Sequence, residues 1–409
     1  DFGQNYLMAL QDKGNPVIFT NGDNDTFPLW YNQETEGVRT DARVCNLSYL
    51  QTDWYIDQMR RPAYDSPSLP ISWTRLQYVT GTREGIPVQP DALQQVIDYY
   101  KDSPEDLKQM LGDNPYELKN IIRHWVLNDN PDLQSFATDS IVVTVDKEAV
   151  KRSGMMIAAD SIPDVMHISL KGKRAVYKSE MMMLEMISQA NWERPLYMST
   201  TVGPDNYGHL GDNFVQEGLA CRITPFDTKQ SGRTIDSERM YNNMMNKFKY
   251  GGLKENPDIY LDETVIRMCY THRRLFNQLA QQLLKEGQKD KALKVLQRAE
   301  EEIPGSIVPH EAFYGHSLEL ADAWLALGHK AEAEKLLNAV GQNAKEYIEW
   351  YLSLNTQRLL QSSRECLMQI YILNDIAKTW EPIDKKKAET YRMEVNNYAS
   401  RCHQRGMSL

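Results

Sequence analysis

The side chains best suited to chemistry fall in two short acidic clusters. Asp23-Asn24-Asp25 alternates carboxylate and amide oxygens, and Asn21 adds another amide just upstream. That is a hard donor set, of the kind that holds Ca²⁺ or Mg²⁺. The second cluster is Asp53-Trp54-Tyr55. An acid beside two aromatic rings suits a carbohydrate: the rings stack on the sugar face and the carboxylate accepts its hydroxyl hydrogen bonds.

Each cluster also has a simpler structural account. Asp25 can cap a helix that starts at Thr26, with Asn21-Gly22 making the turn before it. Asp53 can cap a second helix whose first residues, Trp54 and Tyr55, enter the core. No Glu stands where a calcium loop would need one. The D-x-D pattern also marks the metal–nucleotide site of one large glycosyltransferase class, but it is very short. No metal is therefore assigned, with Asp23 and Asp25 as the weak candidates, and no cofactor is called for. Arg39 and Arg43 flank Asp41 and are expected to make surface pairs with acids such as Glu34 and Glu36. His167 and His209 stand alone, and His310 and His316 are not spaced for a helical metal pair. The sequence holds no G-x-S-x-G, no phosphate-cradling glycine loop and no assignable nucleophile–base pair, so the catalytic residues are unknown.

The elements that must position these residues follow from the local pattern. An apolar run, Val17 to Phe19, stops at the turn cluster Thr20 to Asp25. A helical stretch runs from Thr26 to Glu36 and ends at Gly37. A second strand-like run, Arg43 to Leu50, meets a second polar turn, Gln51-Thr52-Asp53. This is the order of a parallel βαβ unit. In such sheets ligands gather outside the carboxyl ends of the strands, where Asn21, Asp23, Asn24, Asp25 and Asp53 all fall.

The remainder sets the architecture. The 409 residues are enough for two or three cores, and 41% hydrophobic with 25% charged is an ordinary globular composition. The net charge of −10 and the lack of any basic cluster beyond Lys171–Arg174 argue against nucleic acid as a partner. No apolar run approaches the roughly 20 residues that cross a bilayer. The chain opens at Asp1 and reads as a mature form or an excised piece. Five scattered cysteines (Cys45, Cys221, Cys269, Cys366 and Cys402) give no metal spacing and no disulfide framework, with one bridge left open.

Residues 62 to 90 carry interleaved prolines and glycines and are expected to run over the surface. Residues 91 to 130 read as helices, and Ile141 to Val145 as a buried strand. A second strand–helix–strand unit is expected from Val165 to Val202, around a helix whose Met182, Met183, Met186 and Ile187 form a core stripe. From Thr264 the pattern is helical and fits a tetratricopeptide-like repeat. Phe276, Leu279, Ala280 and Leu283 stand on its first helix, Gly287 in the turn, and Ala292, Leu296 and Ala299 on its second. A further copy runs from Ser317 through Leu320, Ala321, Trp324, Gly328, Ala333 and Leu337. The expected fold is an α/β domain with a mostly parallel sheet over residues 1–258, then an all-α repeat domain over residues 259–409.

The run NPVIFTNGDNDTFPLWY, continued by EGVRTDARVCNLSYLQTDWYI, resembles the C-terminal soluble part of a family of bacterial multi-spanning membrane proteins of unknown function. The resemblance extends through Asn191–Tyr197, Glu217–Arg222, Phe248–Gly252 and Ile259–Glu263. The membrane half of that family is similar to protein O-mannosyltransferases and other lipid-sugar-dependent glycosyltransferases. The resemblance implies an extracytoplasmic, non-catalytic accessory domain on the periplasmic face of the inner membrane. Its partners would be the membrane half of the same polypeptide and acceptor proteins or glycans. The catalytic positions of such enzymes lie outside this sequence. The triplets Asp139-Ser140-Ile141 and Asp160-Ser161-Ile162 match an O-glycosylation acceptor pattern, for which chance is the simpler account. The alternative is a self-contained α/β enzyme acting on sugars or phosphates through Asp23, Asp25 and Asp53.

Overall fold

The computed structural model of the chain describes residues 1–157 and 162–407. It divides into two compact units, Asp1–Lys249 and Tyr250–Leu409. Among the described residues no helix is long and apolar enough to cross a membrane.

The first unit is built on five strands. β1 (Val17–Thr20) pairs in parallel with β2 (Arg43–Asn46) on one side and with the strand Leu196–Ser199 on the other. Helix α1 (Phe2–Ala9) precedes β1, and helix α2 (Asp23–Glu36) crosses from β1 to β2. This is the parallel βαβ unit that the local pattern demanded, and Gly37 ends its helix in the left-handed conformation at φ 62°. Helix α3 (Asp53–Met59) follows β2.

The sheet as a whole is mixed rather than mostly parallel. Three short strands, β3 (Gly85–Pro87), β4 (Ser140–Thr144) and β5 (Val165–Ser169), and a fourth, β6 (Ala175–Tyr177), lie outside it. β3 pairs with β6 and β4 with β5, each antiparallel. The main sheet resumes at β7 (Leu196–Ser199). It is completed by β8 (Phe214–Gln216) and β9 (Ala220–Ile223), giving the order β2-β1-β7-β9-β8. Only three residues join β8 to β9, and so short a connection can only join antiparallel strands.

The expected strand–helix–strand unit from Val165 to Val202 is also corrected, since β5 pairs only with β4 and lies outside the main sheet. β5 is buried only at alternate positions, whereas β1, β2 and β7 are buried at every position. A parallel sheet covered on both faces needs the second pattern. Helix α4 (Lys178–Gln189) therefore follows β6 and packs on a sheet that β5 never joins.

Alternate residues of the central strands (Val17 and Phe19, Cys45, Leu196 and Met198) share one core with Met182, Met183, Met186 and Ile187 of α4. The methionine stripe is thus core. The segment 62–90 does not stay on the surface, because it sinks Leu69, Trp73 and Tyr78 into this same core. Helices α1 and α2 touch where a Cβ on Gly3 would fall 2.4 Å from the Pro28 carbonyl oxygen.

The second unit is helical. Its long helices are α5 (Glu263–Lys285), α6 (Lys289–Glu302), α7 (Ser317–Ala326), α8 (Lys330–Ser353), α9 (Ser363–Trp380) and α10 (Lys385–Gln404). Gly287 at φ 75° and Gly328 at φ 84° make the tight turns α5–α6 and α7–α8. Phe276, Leu279, Ala280 and Leu283 of α5 and Ala292, Leu296 and Ala299 of α6 are buried, as are Leu320, Ala321, Trp324, Ala333 and Leu337. Two helical hairpins with matched small and large residues result, separated by the longer connection 303–316.

Candidate functional site

β1, β2 and β7 run in parallel, so Thr20, Asn46 and Ser199 end at one edge of the sheet. Side chains wire that edge shut. The Thr20 and Thr26 hydroxyls meet at 2.8 Å, and Asn46 Nδ2 donates to Thr26 Oγ1 at 2.8 Å and to the Asn21 carbonyl at 3.2 Å. The Ser48 hydroxyl donates to the Asn21 carbonyl at 2.9 Å and lies 3.0 Å from its Oδ1. Asn21 is therefore a brace between two loops.

Asp25 holds the centre of this edge and is only 4% exposed. Its carboxylate accepts from the backbone N–H of Gly22 at 2.8 Å and, at 3.3 and 3.4 Å, from that of Asn21. The Thr201 hydroxyl donates to its other oxygen at 2.6 Å and meets the Ser199 hydroxyl at 2.6 Å. The capping account is correct in kind and wrong in register. The helix starts at Asp23, Gly22 is its N-cap, and Asp25 is the third helical residue reaching back. Asp23 and Asn24 stand exposed on the first turn, where a carboxylate favours the positive end of the helix dipole.

Asp53 sits elsewhere. It opens α3 behind the N-cap Thr52, with Arg75 Nη2 at 3.7 Å and the Thr80 N–H at 3.5 Å. It shares none of these partners with Asp25. Among the described residues no group of three His, Cys, Asp or Glu side chains could hold a metal ion.

Trp54 belongs to a different feature, a groove of about 590 Å³ beside the edge strand β2. Trp30, Tyr49, Trp54, Tyr55 and Tyr64 line it, and Phe27 lies behind Trp30. Phe27 stacks on Trp30 at 5.7 Å, Trp30 on Tyr49 at 6.2 Å, and Tyr49 meets Trp54 at 5.9 Å and Tyr55 at 5.7 Å. Trp54 is 54% exposed and Tyr64 56% exposed, so the groove has rings that a ligand can reach. Gln33, Glu34 and Gln58 supply polar atoms along it. The Tyr55 hydroxyl bonds the Asn46 N–H at 2.9 Å and the Val44 carbonyl at 3.4 Å, which closes the open backbone edge of β2.

Arg43 lies under the groove and is 5% exposed. It makes no surface pair with Glu34 or Glu36. Its Nη2 donates to the carbonyls of Arg61, Ser66 and Pro67 at 2.8 to 3.4 Å, while Nε and Nη1 have no partner. Burial holds its pKa below the ordinary arginine value. Arg39 keeps Asp41, at 2.8 Å, but also clamps the carbonyls of Leu7, Leu10 and Gln11 at the end of α1. Both arginines serve chain tethers that only the tertiary fold creates.

The histidines divide likewise. His167 on β5 and His209, far apart in sequence, line one open cavity of about 810 Å³ with Asp164, Asp212 and Asp227. Lys147 and Lys229 neutralise Asp164 and Asp212 at 2.6 and 2.8 Å. His310 is buried between Glu300 at 3.4 Å and Ser317 at 3.4 Å, and His316 faces Glu319 at 3.3 Å. Of the acceptor triplets, Asp139-Ser140-Ile141 opens β4, whereas Asp160 and Ser161 lie outside the described residues.

One polar cluster had no signal in the sequence. Glu217, fully buried, accepts from the Tyr197 hydroxyl at 2.8 Å and lies 3.4 Å from Arg239 Nε. Burial raises its pKa, against the pull of Arg239 and Arg222. The rings of the groove were missed for a related reason. Trp30, Tyr49 and Tyr64 are far apart along the chain, and no local spacing joins them.

The family model TMEM260-associated domain 2 matches residues 1–243. No curated protein and no solved structure matches the chain. The match covers more than half of the chain and nearly all of the first unit, and the chain belongs to that family.

Proposed function

We propose that this member of the TMEM260-associated domain 2 family binds its ligand rather than transforming it. It would be the extracytoplasmic accessory domain of a membrane glycosyltransferase-like protein, with a sugar ring of a glycan or glycosylated acceptor held in the aromatic groove. The carrying observation is the ring series Trp30, Tyr49 and Trp54 lining a groove of about 590 Å³. Flat, partly exposed rings beside acid and amide groups match the apolar face and hydroxyl edge of a sugar. The state of Asp25 supports the same reading, since its oxygens are occupied by backbone N–H groups and Thr201. The sequence resemblance supports the periplasmic placement and the membrane-embedded partner.

Tryptophan fluorescence of the 409-residue chain, titrated with neutral hexose oligosaccharides, tests this reading. A saturable change that Trp54→Ala removes and Asp23→Asn leaves intact is expected. Magnesium- or manganese-dependent turnover of a sugar phosphate, abolished by Asp25→Asn, would instead establish the enzyme reading.

The second unit supports a protein-binding role beside this one. A cavity of about 420 Å³ is lined by Tyr270, Phe313, Tyr314 and Tyr347 together with Glu263 and Glu311. Read as a tetratricopeptide-like array, the unit would offer that surface to an extended peptide. Fluorescence anisotropy of labelled acceptor peptides, with Tyr314→Ala as the control, checks it.

A further inference from the structure

The last two helices of the second unit bring two cysteines together. Cys366 stands on α9 and Cys402 on α10, 36 residues further along, and their sulfur atoms are 3.9 Å apart. Neither residue is exposed. A disulfide needs the sulfurs about 2.05 Å apart, so each must move by about 1 Å. The spacing in the sequence gives no hint of the pairing, because it is created by the packing of α9 against α10.

We propose that Cys366 and Cys402 are an oxidation site of this chain and form a disulfide that pins α10 to α9. The co-reactant is a low-molecular-weight disulfide or a disulfide-carrying oxidoreductase. One cysteine loses its proton and its thiolate attacks a sulfur of the oxidant, forming a mixed disulfide and expelling one thiolate. The second cysteine, also deprotonated, then attacks the protein-bound sulfur of that mixed disulfide and expels the second thiolate. Two protein thiols lose two electrons in total, and the oxidant is reduced to two thiols.

The burial of the pair sets how this happens. Burial pushes the Cys366 thiol up to about 12, with Cys402 adding to the shift, and burial raises Cys402 against the charge of Arg401. Buried thiols of this kind react slowly. Oxidation therefore needs either the opening of α10 or capture while the chain folds. Once made, the bond closes a loop of more than thirty residues and restricts the unfolded chain, which stabilises the folded unit.

The pairing stands apart from the groove and its ligand, but its occurrence in the cell rests on the proposed extracytoplasmic placement. The reduced 409-residue chain is incubated with oxidised glutathione, unfolded in denaturant and alkylated. Three of the five cysteines should alkylate, and peptide mapping should find the Cys366–Cys402 cross-link. The oxidised chain should melt several degrees higher, an increase that dithiothreitol reverses and that Cys402→Ser and Cys366→Ser both lack. Five alkylated cysteines, glutathione adducts without a cross-link, or a different pairing would overturn the proposal. A cross-link formed with glutathione but missing from chain isolated from periplasm would uphold the pairing and count against the placement.

Discussion

The carboxylate of Asp25 and the hydroxyl of Thr201 meet at 2.6 Å, although 176 residues separate them. This bond joins the first turn of α2, which follows β1, to the loop after β7, the strand that pairs with β1. Asp25→Asn should keep the shape but weaken both the helix cap and the tie to Thr201. A loss of about 1–3 kcal/mol in chemical denaturation is expected, with Asp23→Asn within about 0.5 kcal/mol of the parent.

Gly3 and Pro28 set how closely α1 approaches α2. Gly3→Ala puts a methyl group 2.4 Å from a backbone oxygen that cannot step aside. A loss of about 1–3 kcal/mol should follow from overpacking. Pro28→Ala leaves that oxygen in place and should not rescue the Gly3→Ala variant, which a double-mutant cycle in urea would show.

Glu217 is a buried acid facing Arg239 and the Tyr197 hydroxyl. Glu217→Ala removes the acceptor of the Tyr197 hydroxyl, while Arg239 keeps Asp236 and the Gly154 carbonyl, and should cost about 1–3 kcal/mol. Glu217→Gln can still accept from Tyr197 and should cost less. Because burial raises the pKa of Glu217, the parent loses stability as pH rises above 4.5, so its advantage over Glu217→Gln should shrink toward alkaline pH. Thermal melts across pH compare them.

His272 gives the second unit a pH dependence. Burial lowers its pKa from 6.5 to about 4. Between these values the unfolded chain binds a proton that the folded unit refuses, so stability is complete above pH 6.5 and falls as pH drops toward 4. The loss should approach about 3 kcal/mol. His272→Gln should flatten that part of the profile, measured by denaturant midpoints at several pH values.

Much of the first βαβ unit could be read locally. Val17 to Phe19 is a short apolar run bounded by turn residues, Gly37 is a helix stop, and the methionines of α4 repeat at helical spacing. Each signal needs only a few neighbouring residues. The same holds for α5 and α6, where the residues expected to face inward, Ala280 and Ala292 among them, are buried.

Strand partners and site partners were decided elsewhere. β5 reads as a strand, yet which sheet it joins is decided by its antiparallel pairing with β4. The start of α2, three residues earlier at Asp23 instead of Thr26, places Asp25 inside the helix, where Thr201 holds it from the loop after β7. The groove needs Trp30, Tyr49, Trp54 and Tyr64 from separate elements, and the thiols of Cys366 and Cys402 meet only when α10 folds back on α9. Periodicity and turn chemistry act over a few residues, so the sequence by itself determined the first βαβ unit and the long helices, but not their exact ends. Which distant side chains share a hydrogen bond, a groove or a bond-forming distance depends on how those elements close around a common core, and only the tertiary structure settles that.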